Sequence, residues 1–494
     1  MNCEPGTVVL IGAAAAGRRP VDPGAGFDAT GLMAEALRGA LKDCGVAGLG
    51  PKIDWIGAAR GLAQLPDAAR RVGEAVGADP HTVAADVGIP QQTLINLAFE
   101  AIRSGRHGIA VVCGGEAKYR DDLARRAGVE LPGHDQEGLV PDEEFRPTGE
   151  IVARPEIEIG AVVPVQQYAM IENARRAAHG WSLSRHRDEI AARWHGFNQV
   201  AQTNPRAAFG EPMSPEEIRD PAPANRPMAF PYTKWHSSQW SVDQAAALVL
   251  CSASTAVSLG VPRDRWVFPH AGLESSMSLS LSRRGDLHRW PAMAVLGAAA
   301  ERHIGRRVAD MDHIELYSCF PSAVAVQQSE LSVDPDRVCT VTGGMGFAGG
   351  PLNNFVFQAT VEMIDRVRSE PGTYGFVTAV SGLLTKPGLT VWSTDPPPAG
   401  LLTADLAAEA EAATAEVPLD EDPHGEGTVA TYTVVYDGME PSGVRAIVDL
   451  TSGTSGTSGS RAVAALDDPE VAADAVNEDL IGAPVTVHGT TLRV

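Results

Sequence analysis

No two of the six cysteines stand close together: Cys3, Cys44, Cys113, Cys251, Cys319 and Cys339 form no CxxC pair and no tight cluster. That argues against a disulfide framework or a cysteine zinc site, and reduced thiols are expected. No apolar run reaches the length of a membrane span, and the opening MNCEPGTVVLIG has no charged segment followed by a cleavable apolar one. A cytoplasmic address is the expectation. Positive charge is scarce as well. Forty Lys and Arg against 62 Asp and Glu leave a formal charge of −22, which argues against a nucleic-acid partner. Arg103, Arg106, Lys118, Arg120, Arg125 and Arg126 form one candidate patch for a small polyanion, with a solvated charged face as the simpler reading. P-loop, HExxH and GxSxG motifs are missing, and no set of ligands suggests a metal.

The absence that matters most lies in Val341–Phe355, VTGGMGFAGGPLNNF. Five glycines crowd this stretch, yet it holds no His, Cys, Asp, Glu, Lys or Arg. Glycine at such density permits close backbone approach or left-handed conformations. The loop precedes VFQATVEMIDRVRS, which patterns as a helix, and the strand YGFVTAVSG.

What is present is an α/β pattern that occurs twice. In the first half TVVLIGAAAAG reads as a strand, LMAEALRGALKDCG as a helix and KIDWIGAARG as a strand. The loop DVGIPQQ then leads into the helix LINLAFEAIRSG and the strand HGIAVVCGG. In the second half the helix PAMAVLGAAAERHIG and the strand MDHIELYSCF precede the glycine loop. The repetition implies an internal duplication and places Gly88 and Gly350 in equivalent loops, each ahead of a helix N-terminus. Expected boundaries are 1–117 with 232–262 for the first half and 263–395 for the second. An Arg- and Pro-rich excursion spans 118–231, a linker 396–427, and a small β-barrel 428–494, its SGTSGTSGS insert a flexible tip.

Several stretches resemble the thiolase superfamily. VGIPQQTLINLAFEAIRSGRHGIAVVCGGEA is similar to the segment that carries the thiolase nucleophile. LYSCFPSAV resembles the HDCF block of sterol-carrier-type thiolases, GGMGFAGGP the GGxxxxGHP loop, and VSGLLTKPGLTVWST the closing strands. The tail resembles the extra C-terminal domain of the thiolase-like proteins called type 1, and the OB-like domains that serve some relatives as separate partners. The resemblance implies the five-layered α-β-α-β-α thiolase fold. It further implies an acyltransferase of the acetyl-CoA acetyltransferase kind in lipid or sterol metabolism, with CoA or acyl-CoA as ligand.

Carried over residue by residue, the resemblance empties the site. The nucleophile position falls on Gly88 and the GHP histidine on Gly350, and a hydrogen atom replaces neither a thiolate nor an imidazole. Cys319 stands at the HDCF cysteine, Tyr317 at its histidine, Ser318 at its aspartate, and Ser381 with Gly382 near the alternative acid/base position. Gly88, Gly349, Gly350, Ser381, Gly382 and His236 are the expected substrate contacts. Cys319 reads either as an acid/base thiol or as a buried inert one, Tyr317 as a phenolic acid/base or a packed strand residue, and His236 as catalytic or packed. Asn353 and Asn354 read as helix-start caps. Three functions follow: binding of CoA thioesters without ordinary thiolase turnover, a retro-aldol or other C–C reaction using Tyr317 or Cys319, and a non-catalytic scaffold recruiting a protein through the tail.

Overall fold

The computed structural model describes residues 3–132, 136, 138–451 and 459–494. Most of the SGTSGTSGS insert lies outside the described residues. The strand Val8–Arg18 is an unbroken run of small and branched apolar residues, buried through its first six positions. The helix Ala29–Asp43 starts where the Asp28 carboxylate accepts a hydrogen bond from the Gly31 amide at 2.7 Å. Leu32, Met33, Ala36, Leu37 and Ala40 lie on one face and pack on the first sheet. Gly12 is required there: a methyl group would strike the Ala40 carbonyl and the Cys44 sulfur.

Two sheets carry the duplication. The first runs Val8–Arg18, Asp243–Ser252, Ile109–Ala117, Trp55–Ala59, His81–Ala85 and Glu143–Phe145 in spatial order. The second runs His313–Glu315, Tyr374–Ser381, Lys386–Ser393, Phe268–Glu274 and Leu402–Asp405. In each, a parallel pair is followed by two antiparallel neighbours: Trp55–Ala59 beside Ile109–Ala117 in the first, His313–Glu315 beside Tyr374–Ser381 in the second. The helices Gln91–Arg103 and Phe355–Ser369 each touch strands of both sheets. A helix between two sheets has no solvent face, and Phe355 to Ile364 is buried at every position. Ala29–Asp43 covers the outer face of the first sheet and Pro291–Ile304 that of the second. The result is the five-layered α-β-α-β-α core of the thiolase fold.

The strands His313–Glu315 and His81–Ala85 depart from the sequence reading. MDHIELYSCF pairs only over its first part, because the next amides bond elsewhere, Leu316 to the Cys339 carbonyl and Tyr317 to the Thr378 hydroxyl. HTVAA is a strand although its composition signals none.

The five strands His424–Asp437, Glu440–Leu450, Arg461–Leu466, Thr491–Arg493 and Pro484–His488 close into a barrel, the last pairing with the first. Tyr432, Val434, Val444, Val448, Val487 and Leu492 lie in its core. The barrel docks on the excursion helix Pro164–Ala178. The Asn173 amide donates to the carbonyls of Phe230 and Tyr432, and the Thr431 hydroxyl donates to that of Met170. The excursion does more than lie over the core. Glu143–Phe145 extends the first sheet, and Pro227–Ala229 joins the barrel strand His424–Asp437. Within 396–427, Leu402–Asp405 pairs parallel to Phe268–Glu274, and the barrel's first strand begins at His424. This stretch is part of the body and not simply a tether.

Candidate functional site

The two central helices begin side by side. The Gln91 carboxamide oxygen accepts the Val356 amide at 2.8 Å, and its nitrogen reaches the Leu352 carbonyl at 3.4 Å. A side chain of one half thus satisfies a free amide at the helix start of the other. The asparagines do not cap as expected. Asn353 donates to the Arg60 carbonyl at 2.9 Å, and the Asn354 amide is buried with neither polar atom partnered.

The glycine loop is packed, not open. Gly343 and Gly344 both have positive φ, 98° and 72°. A methyl at Gly343 would hit the Ala201 backbone, and one at Gly344 the Phe197 ring. These glycines let the loop press against the helix Leu183–Ala201. Gly344–Phe347 turns once as a helix, with the Met345 amide donating to the Ser318 hydroxyl at 3.0 Å. Glu315, unremarked in the sequence, anchors the approach to it. Its carboxylate accepts the amides of Val341 and Thr342 and the hydroxyls of Thr340 and Thr342. Complete burial still pushes its carboxyl up to about 7. A lone acid inside the apolar run HIEL was the available signal.

Tyr317 and Cys319 come together beside this loop, and His236 lies against Tyr232, without the electrostatics of an acid/base set. The Cys319 carbonyl accepts the Ser238 amide at 3.0 Å, joining the segment after His236 to the YSCF turn. The Cys319 thiol is 9% exposed, and burial pushes it up to about 12, against a smaller lowering from the Tyr168 hydroxyl. Burial also drives the Tyr317 phenol far above its ordinary value. Its ring packs edge-on to Phe355 at 5.8 Å. The His236 Nδ1 accepts the Thr233 amide at 3.0 Å, so the proton sits on Nε2, which has no partner. Desolvation pushes this imidazole down to about 3. At neutral pH the three residues are a thiol, a phenol and a neutral imidazole.

At Gly350 a side chain would run into the Ser238 hydroxyl. Gly349 abuts the Gln244 carboxamide, whose nitrogen donates to the Ala348 carbonyl at 2.8 Å. Gly88 lies with Ser381 and Gly382 near a different group. Lys386, directly across the hairpin from Ser381, places its Nζ 3.4 Å from the Gly88 carbonyl. Lys386 was not singled out from the sequence, though a lysine opening an otherwise apolar strand is visible in TKPGLTVW. The basic patch does not assemble. Arg103 pairs with Glu100, Lys118 and Arg125 with Asp122, and Arg120 is buried with its Nε on the Pro23 carbonyl. A cavity of about 410 Å³ is lined by Arg19, Tyr119, Phe209, Gln244 and Gln358 among others, and touches none of Gly88, Tyr317, Cys319, Gly350 or Ser381. Among the described residues no cluster could hold a metal ion, and no helix is long and apolar enough to cross a membrane.

Residues 405–491 match the family described as the thiolase-like protein type 1 additional C-terminal domain. No curated protein matches the chain in sequence. Among solved structures, the chain is similar to a monomeric SCP2-thiolase-like protein type 1 from Mycobacterium smegmatis, at 27% identity over 99% of both chains with a TM-score of 0.82. It is also similar to an Ltp2–ChsH2(DUF35) aldolase, at 17% identity over 79% of this chain and 98% of that one, TM-score 0.58. The dimeric peroxisomal thiolase of Saccharomyces cerevisiae is alike at 16% identity over 80% and 99%, TM-score 0.57. The last two likenesses concern the fold alone. The chain is therefore a thiolase-fold body followed by a domain that matches the additional C-terminal domain of thiolase-like proteins of type 1.

Proposed function

We propose that this chain binds an acyl thioester, of CoA or a related carrier, and does not carry out thiolytic cleavage or Claisen condensation by the thiolase route. The observation that carries the second half is chemical. That route needs a thiolate to take the acyl group and a base to activate it. Gly88 and Gly350 supply neither, and Cys319, with its thiol pushed up to about 12, is fully protonated at neutral pH. The first half rests on the retained fold, in which the two central helices still begin side by side at Gln91. The test has two arms. Calorimetry with acetyl-CoA and acetoacetyl-CoA is expected to give saturable binding, and the CoA-dependent cleavage of acetoacetyl-CoA is expected at the buffer rate. Robust cleavage would remove the reading.

A second reading, carbon–carbon cleavage of a CoA ester, draws support from the aldolase among the similar folds. Burial argues against Tyr317 or Cys319 as its base, since both hold their protons too tightly. Unchanged turnover in Tyr317→Phe and Cys319→Ala would exclude them. The aldolase neighbour is a complex with a DUF35 protein. Recruitment of a protein through the tail is less favoured here, because the barrel already docks on this chain's own excursion helix.

A further inference from the structure

The chain has five lysines, and one differs from the rest. Lys42, Lys52 and Lys234 are exposed, and Lys118 is half-buried and paired with Asp122. Lys386 is 3% exposed. An ammonium group taken out of water is ordinarily neutralised by a carboxylate. Among the described residues none lies within ion-pair distance of Lys386. Its Nζ reaches only the carbonyl oxygens of Gly88 and Thr148, each at 3.4 Å, long for a charged hydrogen bond. Gly88 lies three residues ahead of the helix Gln91–Arg103, and the positive end of a helix disfavours a second positive charge. Burial pushes the amine in the same direction, below its ordinary range. These conditions favour a free amine with an available lone pair.

The cover over this amine is thin. Residues 146–150 are exposed, and among the described residues no main-chain amide of 146–152 donates a hydrogen bond. Side chains hold the segment instead: Arg146 pairs with Glu144, and the Ser278 hydroxyl donates to the Glu150 carbonyl at 2.9 Å. Ser381 stands opposite Lys386 in register, so its hydroxyl projects from the same face of the hairpin.

We propose that Lys386 is a carbonyl-reactive amine and that it takes a ketone or aldehyde admitted beneath residues 146–150. The Nζ lone pair attacks the carbonyl carbon and forms the C–N bond. The C=O π pair moves to oxygen, which receives the proton that nitrogen loses. Protonation of that hydroxyl and departure of water leave a protonated imine, and hydrolysis restores amine and carbonyl. Neither an oxidant nor a reductant enters the cycle. A protonated imine draws electrons from the neighbouring C–H or C–C bond, so one lysine can support bond cleavage that needs no thiolate. This assignment does not depend on thioester binding, and its test is separate.

The test is reductive trapping. The full chain is incubated at pH 7 with acetoacetate, and separately with acetaldehyde, in the presence of cyanoborohydride, and adducts are mapped by peptide mass spectrometry. Lys386 is expected to be occupied at least tenfold faster than Lys42, Lys52, Lys118 or Lys234, and to keep that lead at pH 6. Lys386→Arg, with an unchanged circular dichroism spectrum, is expected to lose that adduct alone. Labelling of Lys386 no faster than the other four with both probes, or no labelling while they react, would overturn the proposal and leave a structural amine.

Discussion

The hydroxyl of Ser238 occupies the space that a side chain on Gly350 would need. The amide of the same serine is held by the Cys319 carbonyl, and the Gly350 amide by the Gln239 carbonyl at 2.9 Å. Gly350 has no positive φ, so the obstacle to a larger residue is packing and not backbone conformation. Gly350→His is expected to destabilise the fold by about 1–3 kcal/mol through overpacking. Ser238→Gly in the same chain should recover part of that loss. Denaturant midpoints of the single and double variants measure both effects, and an additive double variant would show that the two residues do not compete for space.

Gln91 links the starts of the two central helices. Gln91→Ala leaves the Val356 amide buried and unpaired and is expected to cost about 1–2 kcal/mol. Hydrogen exchange should localise the change to residues 352–358. A loss spread evenly over the body would count against this specific bond.

Glu315 links stability to pH. Its carboxyl in the fold is pushed up to about 7, from its ordinary value of 4.5, by burial. The folded state therefore binds the proton more tightly than the unfolded one. The stability contributed by this group is fully present below about pH 4.5 and is lost as pH rises through 7. Relative to Glu315→Gln, the native chain is expected to lose roughly 1–3 kcal/mol between pH 4.5 and 8. Referring each point to the variant removes the opposite trend from His236, pushed down to about 3. A pH-independent difference between the two chains would refute the assignment.

Thiol reactivity offers a further check. Cys44, Cys113, Cys251, Cys319 and Cys339 are buried, while Cys3 is half-exposed. Burial pushes Cys319 up to about 12 and Cys113 likewise. Iodoacetamide at pH 8 is expected to alkylate Cys3 first and to leave Cys319 untouched until the chain unfolds. Prompt alkylation of native Cys319 would restore it as a candidate acid/base thiol.

The layers of the fold were legible because periodicity reports burial. The strands at Val8, Ile109 and Tyr374 and the helices at Gln91 and Phe355 all stand where the apolar pattern puts them. His81–Ala85 was not legible, since its burial comes from neighbouring strands and not from its own composition. At the site, the vacancies at Gly88 and Gly350 could be read from motif positions. What fills them could not. Ser238 stands against Gly350 and Pro147 against Gly88, from segments about 110 and 60 residues away, by contacts that leave no local trace. The asparagine caps failed for a related reason: the partner of the helix start came from the other half of the duplication.

The seat of the barrel on Pro164–Ala178 has a thermodynamic consequence. Both surfaces belong to one polypeptide, and Arg461 ties the barrel to the Gly285 carbonyl of the body at 3.0 Å. Docking is therefore unimolecular, governed by an effective concentration that the connecting chain fixes. Dilution does not separate the two modules, their ratio is one to one in every molecule, and a free barrel competing from solution faces a rival that never leaves.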